Sequence, residues 1–363
     1  MKLLVINPGS TSTKISMYED EKSLFQESVF HDAPVLLQYP TVNDQMPFRT
    51  KVVEEILARH GFVPEDADVL VGRGGGAYSQ PSGVTRIDRR LYEDTRDEVG
   101  GSEHAAKLGV MLAWEIGSKL GKEMYTLDPT NVDELCDQAR LTGIRGVYRN
   151  AQSHTLNQRA TARYHAEQMG KRYEDCNFVV AHIDGGVTVG AHCHGRMIDG
   201  NVGSGGDGAF APTRIGSVPV MPLLDYIDAH STDDVRLMCH RAGGLVSLFG
   251  TSDAAKVHTM VENGDKMAAL AWDTMGYQIS KQIGEMSTVL RGKVDGILLT
   301  GGLVRYQDLV DNIRDRCGWI APITVYPGEM EQDALALSVL RALRGEAKIL
   351  TYAGKPVWDG FEE

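Results

Sequence analysis

Residues 3–13 of this chain read Leu-Leu-Val-Ile-Asn-Pro-Gly-Ser-Thr-Ser-Thr, and residues 180–190 read Val-Ala-His-Ile-Asp-Gly-Gly-Val-Thr-Val-Gly. When Asn7 is aligned with Asp184, each stretch is an apolar strand, a polar residue, a glycine turn and a second strand rich in threonine or β-branched residues. A glycine turn between strands exposes backbone N–H groups, and such a concavity suits phosphate oxygens. The repeat predicts a duplicated domain that binds one polyphosphate from both sides, although two unrelated hairpins that both need glycine would look the same.

The length and composition limit the class of protein. A chain of 363 residues suggests about two domains, and 42% hydrophobic with 24% charged residues is typical of a soluble globular protein. The formal net charge of −12 argues against non-specific nucleic-acid binding, which needs a basic face. Five scattered cysteines without a C-x-x-C pair fit a reducing cytoplasm, and no apolar run is long enough for a membrane span.

The order of apolar patterns predicts an α/β fold. Strands alternate with helices along both halves of the chain, and the pattern restarts near residue 150. We therefore expect a first domain over residues 1–150, with the tail 338–363 packed on it, and a second domain over residues 151–337. The predicted helices cover residues 46–61, 102–120, 156–170, 266–290 and 334–344. The helix over 266–290 has a predicted apolar face made of Met267, Leu270, Ala271, Met275, Ile279, Ile283, Met286 and Leu290.

Two arginines lie in glycine-rich settings. Arg73 stands in Gly-Arg-Gly-Gly-Gly after a short apolar strand, and Arg214 lies in a long irregular segment, residues 203–222. The planar guanidinium fits a carboxylate or phosphate with two hydrogen bonds, and neighbouring glycines let a ligand approach the backbone. Both are candidates for anion binding, although solvated loop arginines are common.

Carboxylates at strand and helix ends are candidates for holding a cation. Asp128 ends a strand before Pro129, and the crevice of an α/β fold lies beyond such strand ends, although an Asx turn is the alternative. Glu329 and Glu331 open the last predicted helix, where the helix dipole alone favours acidic residues. A magnesium ion needs few protein ligands, because it keeps several waters and is held partly by phosphate oxygens.

The histidines allow more than one interpretation. His154, before a predicted helix, and His182, before the second glycine turn, could each donate a hydrogen bond to a phosphoryl oxygen. His192 and His194 stand two residues apart on one predicted strand and therefore share a face. Together with His182 they resemble a metal cluster, but ordinary strand histidines are the simpler interpretation than a zinc site.

Several common nucleotide and hydrolase motifs are absent from the sequence. It contains no G-x-x-x-x-G-K-[ST] loop, no G-x-G-x-x-G between a strand and a helix, and no H-R-D or D-F-G set. The nucleophile elbow G-x-S-x-G is also missing. These absences argue against P-loop, dinucleotide-binding, protein-kinase and α/β-hydrolase mechanisms.

Further segments resemble the acetate and butyrate kinase family. Residues 7–14 resemble the phosphate turn that opens those kinases, and residues 182–186 resemble their second phosphate turn. Residues 299–302, Leu-Thr-Gly-Gly, resemble the adenosine-binding element of the wider sugar kinase, Hsp70 and actin superfamily. The segments that resemble butyrate kinase in particular are residues 72–75, 103–109, 128–135, 154–158 and 326–329.

The resemblance implies a fold, a reaction and a set of roles. It implies two duplicated ribonuclease H-like domains of the actin-like ATPase fold with a central cleft, and reversible transfer of the ATP γ-phosphoryl group to a short-chain fatty acid, butyrate-like, to give an acyl phosphate and ADP. Arg73 and Arg214 would hold the carboxylate and the phosphoryl group, which His154 would contact. Asn7, Asp128 and Glu331 would set Mg²⁺ and its waters, with Asp128 also counted as catalytic and Glu329 as the alternative to Glu331. The residues implied to bind the nucleotide are Ser10, Thr11, Ser12, His182, Asp184, Gly185, Gly186, Thr300, Gly301 and Gly302.

This scheme also agrees with the residues themselves. A carboxylate is already a nucleophile, so the enzyme must bring two anions together with arginines and a metal and needs no general base. The alternatives are a sugar or polyol kinase of the same superfamily, in which Asp128 would serve as the base, and a non-catalytic nucleotide-binding scaffold. The resemblance also implies a homodimer or a higher homo-oligomer, with ATP and a small carboxylate as the other partners.

Overall fold

The computed structural model describes residues 1–9, 12–36, 38–101 and 105–361, and it shows an α/β fold with two sheets. Strands and helices are numbered along the chain. The strands are β1 (Lys2–Pro8), β2 (Ser12–Glu19), β3 (Lys22–Phe30), β4 (Val69–Gly72), β5 (Val84–Arg86), β6 (Glu123–Leu127), β7 (Asn177–Ile183), β8 (Val187–Cys193), β9 (Arg196–Gly200), β10 (Gly296–Gly301), β11 (Ile323–Pro327) and β12 (Ile349–Thr351).

The helices lie between the strands in both halves of the chain. They are α1 (Ala33–Leu36), α2 (Met46–Arg59), α3 (Arg89–Arg96), α4 (Lys107–Leu120), α5 (Asp137–Arg140), α6 (Thr155–Gln168), α7 (Val220–Ala229), α8 (Thr232–Leu237), α9 (Leu245–Phe249), α10 (Ala254–Glu262), α11 (Lys266–Val289), α12 (Gln307–Cys317) and α13 (Glu331–Leu343). Short 3₁₀ turns cover Asn43–Gln45, Pro64–Asp66, Tyr173–Asp175 and Gly302–Arg305, and a π-helical turn covers Met238–Ala242.

The chain forms two compact units. Unit 1 contains Met1–Asp133 together with Met330–Glu363, and unit 2 contains Glu134–Glu329. The chain therefore leaves unit 1 before residue 150, where the sequence pattern restarts, and it returns to unit 1 at the start of α13.

The sheet of unit 1 has the strand order β3-β2-β1-β4-β6-β5-β12. Strands β3, β2 and β1 run antiparallel to one another, whereas β1, β4 and β6 run parallel to one another. Parallel strands are covered on both faces, which explains why the apolar run of β1 is continuous rather than alternating. One face packs on α2 and α4 through Leu4, Ile6, Val53, Ile56 and Leu112.

The sheet of unit 2 has the order β9-β8-β7-β10-β11. Its first three strands are antiparallel and β7, β10 and β11 are parallel, so it repeats the first five strands of the unit 1 sheet. Alternate residues face opposite layers, as a period of two requires. Phe178, Val180 and Leu298 pack with α6, while Val179, Ala181 and Ile297 pack with α11 and α12.

The long helix α11 corrects one expectation from the sequence. It begins at Asp265, whose side chain accepts hydrogen bonds from the backbone N–H groups of Met267 and Ala268. Met275, Ile279, Ile283 and Met286 are buried, as predicted. Met267 and Leu270 are instead 52% and 58% exposed, because the core side of the first turns is occupied by Ala268, Ala271 and Trp272.

The C-terminal segment is anchored in unit 1. Strand β12 pairs in parallel with β5. The hydroxyl group of the buried Tyr352 donates a hydrogen bond to Asp94 at 2.8 Å and accepts one from the backbone N–H of Tyr78. The chain beyond α13 therefore contributes both a strand and a buried side chain to this unit.

A close approach between β4 and α4 generates a stability prediction. A Cβ added to Gly72 would lie 2.1 Å from the backbone oxygen of Gly109, which no side-chain movement can relieve. We expect Gly72→Ala to destabilise the protein by about 1–3 kcal/mol through overpacking. Gly284, inside α11, has nothing within 4 Å of the added Cβ, so Gly284→Ala should stabilise by about 0.5–1 kcal/mol. Thermal unfolding followed by circular dichroism checks both variants. Equal unfolding midpoints for Gly72→Ala and the original protein would contradict the expected close packing.

Candidate active site

Turn 1, the connection of β1 and β2 at residues 9–12, is closed by a hydrogen bond of 2.8 Å from the Gly9 N–H to the Ser12 carbonyl. Ser10 and Thr11, which the sequence assigns to nucleotide binding, lie outside the described residues. Ser12 begins β2, and its carbonyl group is directed to the guanidinium of Arg49.

Arg49 is a fully buried cation beside turn 1. Its guanidinium donates to the carbonyls of Gly9 and Ser12, to the Thr13 hydroxyl and to the Gln45 amide oxygen, over 2.7–3.2 Å. These acceptors are all neutral, and Arg49 forms no ion pair with a carboxylate among the described residues. Burial lowers the pKa of Arg49 to about 10, so the side chain remains charged at neutral pH. A buried charge without a counter-ion is costly and makes the neighbouring turn electropositive.

The sequence analysis did not single out Arg49, although a signal was present. Residues 49, 52, 53 and 56 follow helical spacing, so this arginine stands on the apolar face of α2. A charged residue in an apolar stripe must find polar partners inside the protein. Here those partners are the two ends of turn 1.

Asn7, Arg73 and Glu331 form one buried cluster in unit 1. Oε2 of Glu331 accepts from Nδ2 of Asn7 at 2.9 Å and pairs with Nη1 of Arg73 at 3.0 Å. Arg73 is 8% exposed and Glu331 is 2% exposed. Arg73 is therefore not a solvated loop arginine, since a carboxylate from the start of α13 neutralises it. In a buried setting, removal of one partner would leave an uncompensated charge.

Asp128 follows β6 and is fully buried. Its backbone has a positive φ of 39°, which is uncommon for a residue other than glycine. Its Oδ1 accepts a 2.7 Å hydrogen bond from the Gly83 N–H, so the carboxylate is bound to a distant loop of unit 1.

Turn 2, residues 184–186 between β7 and β8, is closed by a hydrogen bond from the Asp184 N–H to the Gly186 carbonyl. The backbone oxygen of Gly185 accepts from the hydroxyl group of Thr213 at 2.7 Å, which fixes the long irregular segment against the turn. A Cβ added to Gly186 would lie 2.6 Å from Nη1 of Arg214 and 3.1 Å from Cε1 of His154. The structure therefore brings Gly186, Arg214 and His154 together.

Arg214 is a partly buried guanidinium beside turn 2. It donates to the carbonyl of Gly203 at 2.8 Å and, at 3.4 Å, to that of His240. Burial lowers the pKa of Arg214. Within the described part of the chain it makes no ion pair with a carboxylate. An arginine that is desolvated, held by neutral carbonyls and adjacent to a glycine turn is well suited to bind an anion.

His154 and His182 stack face to face in unit 2, with ring centroids 4.0 Å apart. Nδ1 of His182 lies 2.8 Å from the amide nitrogen of Asn157, which also donates to the Thr300 hydroxyl at 3.2 Å. Nδ1 of His154 lies 2.9 Å from Oγ1 of Thr188. Each Nδ1 atom therefore lies within hydrogen-bond distance of a neighbouring side chain, which fixes the orientation of the ring.

A buried chain of hydrogen bonds fixes His154 from behind. Tyr173 donates to Nδ1 of His192, and Nε2 of His192 donates to the side-chain oxygen of Gln158. The amide nitrogen of Gln158 donates to the hydroxyl of Thr188, whose oxygen lies 2.9 Å from Nδ1 of His154. This network was missed by sequence reasoning, because Gln158 and Thr188 are ordinary polar residues until the fold places them in line.

The two remaining histidines argue against a metal cluster on β8. His192 is fully buried and its ring is used by Tyr173 and Gln158. His194 lies in the turn beyond β8 with a φ of 47°, so the expectation that both histidines share one strand face is wrong. A strand irregularity at Ala191 and His192 precedes the change.

The loop after β10 completes the unit 2 residues that the sequence singled out. The Thr300 hydroxyl donates to the Gly328 carbonyl at 3.0 Å. Gly301 has a φ of 105°, and a Cβ there would lie 2.3 Å from the Ile183 carbonyl, so only glycine fits. The Gly302 N–H donates to Oδ2 of Asp184 at 2.6 Å, which ties this loop to turn 2.

Two sets of side chains have donor atoms that suit a divalent cation. In unit 1 Asn7 contacts Glu331, and Asp128 belongs to the same unit; all three offer oxygen atoms, which is the donor chemistry Mg²⁺ prefers. In unit 2 the possible ligand atoms of His182, Asp184 and Glu329 lie within 4.8 Å of one another. The two alternatives Glu329 and Glu331 thus belong to different units.

Comparison with known proteins supports the assignment of the fold. Residues 140–313 match the acetokinase family. The acetate kinase of Porphyromonas gingivalis superposes with a TM-score of 0.76 at 18% identity, covering 94% of this chain and 99% of that chain. A propionate kinase from Francisella tularensis gives 0.73 at 16% identity, covering 93% and 98%. A Listeria monocytogenes protein proposed to be an N-acetylmannosamine kinase gives only 0.51 at 14% identity, covering 96% and 100%.

These matches confirm the predicted α/β class with duplicated actin-like domains. The matched family segment lies inside unit 2 and includes His154, turn 2 and Arg214. Among the described helices, none is both long and apolar enough to cross a lipid bilayer.

His31, next to turn 1, generates a prediction on pH. Thr13 accepts from Arg49 and donates to Nε2 of His31 at 2.8 Å. Burial and the Arg49 charge lower the pKa of His31 from 6.5 to about 4. Since the unfolded chain binds this proton first, stability is complete above pH 6.5 and falls by about 3 kcal/mol as the pH drops to 4. The side chain introduced by His31→Gln cannot titrate. The free energy of unfolding of this variant, measured with urea, should therefore fall by about 3 kcal/mol less between pH 6.5 and pH 4 than that of the original protein.

The matched control is His230→Gln on the exposed end of α7, which should keep the pH dependence of the original protein. If His31→Gln and the original protein lose equal stability between pH 6.5 and 4, His31 is not held neutral by its surroundings.

Proposed function

We propose that the chain is a carboxylate kinase, which transfers the γ-phosphoryl group of ATP reversibly to a short-chain fatty acid to give an acyl phosphate and ADP. The observation that carries the proposal is the setting of Arg214. Its guanidinium adjoins turn 2 and His154, and it forms no carboxylate ion pair in the described residues. An anionic ligand would supply the missing charge.

The reaction needs positioning and charge stabilisation more than acid–base chemistry. A carboxylate oxygen attacks the γ-phosphorus in line, and the bond from that phosphorus to the β,γ-bridging oxygen of ATP breaks. No proton must be removed from the acceptor. Arg73 and Arg214 would hold the acceptor and the transferring group, and the Nε2–H of His154 would donate to a phosphoryl oxygen. This role for His154 agrees with the Thr188 contact, which fixes the orientation of the ring beside turn 2.

We assign nucleotide binding to the two glycine turns and to the loop after β10. Ser12 and turn 2 would lie against the phosphates, and Gly301 and Gly302 would pass close to the adenosine. Magnesium would neutralise phosphate charge when it is bound. Asn7, Asp128 and Glu331 would hold it with its waters, which agrees with the oxygen donors that they offer.

Butyrate is the acceptor that the sequence resemblance favours. One methylene changes pocket energetics by only about 1–3 kcal/mol, so acceptor length is set by side chains that line the acyl group. The sugar kinase alternative needs a general base for a hydroxyl group, a role that would fall to Asp128. A scaffold without catalysis would bind nucleotide but would not need Arg214.

A direct assay tests the proposal. With ATP, Mg²⁺ and hydroxylamine, we expect acyl hydroxamate from at least one acid among acetate, propionate, butyrate and isobutyrate. Arg214→Gln removes the guanidinium and should lower kcat by about 10³-fold or more, the size of transition-state arginine effects. The control Arg236→Gln removes an exposed guanidinium on α8 and should keep full activity.

The same assay separates the alternatives. ADP release with sugars but no hydroxamate from any acid would replace the proposal with the sugar kinase. Nucleotide binding without turnover on either class of acceptor would favour the scaffold.

We also propose that the protein is a homo-oligomer, at least a dimer. Helix α7 supports this, because Val220 and Met221 are 69% and 67% exposed and Leu224 is 48% exposed. An apolar helix face of this kind is typical of an interaction surface. Light scattering after size exclusion should give a dimer or larger, and Val220→Glu with Met221→Glu should reduce its mass. Val63→Glu in unit 1 is the control, and a monomeric original protein would contradict the proposal.

A further inference from the structure

Turn 2 contains a carboxylate of its own, the side chain of Asp184. Oδ1 of Asp184 accepts from the Gly185 N–H at 2.8 Å, and Oδ2 accepts from the Gly302 N–H at 2.6 Å. Both N–H groups belong to the segments to which we assign nucleotide phosphates and adenosine. A Cβ added to Gly302 would lie 2.7 Å from Oδ2, so the carboxylate lies tightly against this loop. The carboxylate therefore uses donors that a phosphate oxygen would otherwise take.

The surroundings of Asp184 make the turn unfavourable for a bare polyphosphate. A ligand atom of Glu329 lies within 4.8 Å of those of Asp184 and His182, so two carboxyl groups converge near the turn. Arg214 is the guanidinium beside Gly186, and it forms no ion pair with Asp184. Phosphate charge placed next to these carboxylates in a partly buried site would be repelled by them.

Turn 1 differs from turn 2 in the charge at the aligned position. The residue aligned with Asp184 is Asn7, a neutral amide that donates to Glu331. Beneath turn 1 lies the charged guanidinium of Arg49, bound only to neutral acceptors. The two turns share a backbone pattern but differ in charge, so they cannot bind an anion in the same way.

We propose that Asp184 determines the form in which nucleotide binds, because its carboxylate excludes a metal-free phosphate from turn 2 and accepts one that arrives with a divalent cation. The cation that the phosphate carries would offset this repulsion. This inference rests on the proposed function, since it concerns the nucleotide of that reaction. It makes Asp184 a specificity-determining residue and gives it no part in the bond-making step.

The test compares ADP binding with and without Mg²⁺ by isothermal titration calorimetry. The original protein should bind ADP much more weakly in EDTA than in Mg²⁺. Asp184→Asn keeps the shape and an oxygen acceptor for the Gly302 N–H but removes the charge. It should bind metal-free ADP about tenfold more tightly than the original protein, as expected when one like-charge contact is removed, and its gain from Mg²⁺ should shrink. Asp184→Ala, a second variant, should change in the same direction.

The control Asp233→Asn removes one exposed charge from the same unit and should leave both affinities unchanged. If Asp184→Asn weakens ADP binding equally with and without Mg²⁺, the carboxylate is only a structural tie and the inference is overturned. An unchanged Mg²⁺ dependence overturns it as well, and hydroxamate formation by the original protein would then still support the proposed function. Absence of ADP binding by the original protein under both conditions would overturn the inference and the proposed function together.

Discussion

Each unit of this protein has an arginine beside a glycine turn. Among the described residues, the guanidinium of this arginine has no carboxylate partner. In unit 1 it is Arg49, fully buried beneath turn 1, and in unit 2 it is Arg214, beside Gly186. A protein of net charge −12 has many carboxylates available to neutralise these arginines. Their neutral hydrogen-bond partners hold the side chains in place and leave the positive charge for a ligand. This constraint, an unneutralised charge fixed by neutral acceptors, recurs in both units.

Rigidity around these charges comes from buried polar networks. In unit 2 the series Tyr173, His192, Gln158 and Thr188 ends at Nδ1 of His154, and every step is a hydrogen bond between buried or half-buried groups. In unit 1 Glu331 joins the start of α13 to Asn7 and Arg73. Polar networks of this kind are stable only when all members are satisfied, and they then permit a single arrangement. The side chains that would meet a phosphoryl group are therefore positioned before any ligand binds.

The strands, helices and turns around these residues could be predicted from the sequence better than the partners of the charged side chains. The repeat around Asn7 and Asp184, together with the alternation of strands and helices, was enough to predict the α/β class and the duplicated sheet. The ion pair of Arg73 could not be read from local sequence, because Glu331 lies at the far end of the chain. Arg49 could have been found, since it interrupts an apolar helical stripe. Met267 and Leu270 were misplaced because helical periodicity identifies a face but not where along the helix the core ends.

The difference between the two turns shows why a repeat in sequence does not imply a repeat in function. Both hairpins have the same strand order behind them, a glycine in the turn and a guanidinium beside it. Yet only turn 2 has a carboxylate at the aligned position, where Asp184 accepts from the N–H groups of Gly185 and Gly302. A duplicated domain provides two similar glycine turns, and a few buried or half-buried charges then determine which ligand each turn can bind. In a reaction that joins two anions, such an asymmetry is useful, because identical electropositive turns would bind free phosphate as readily as the metal-bound substrate.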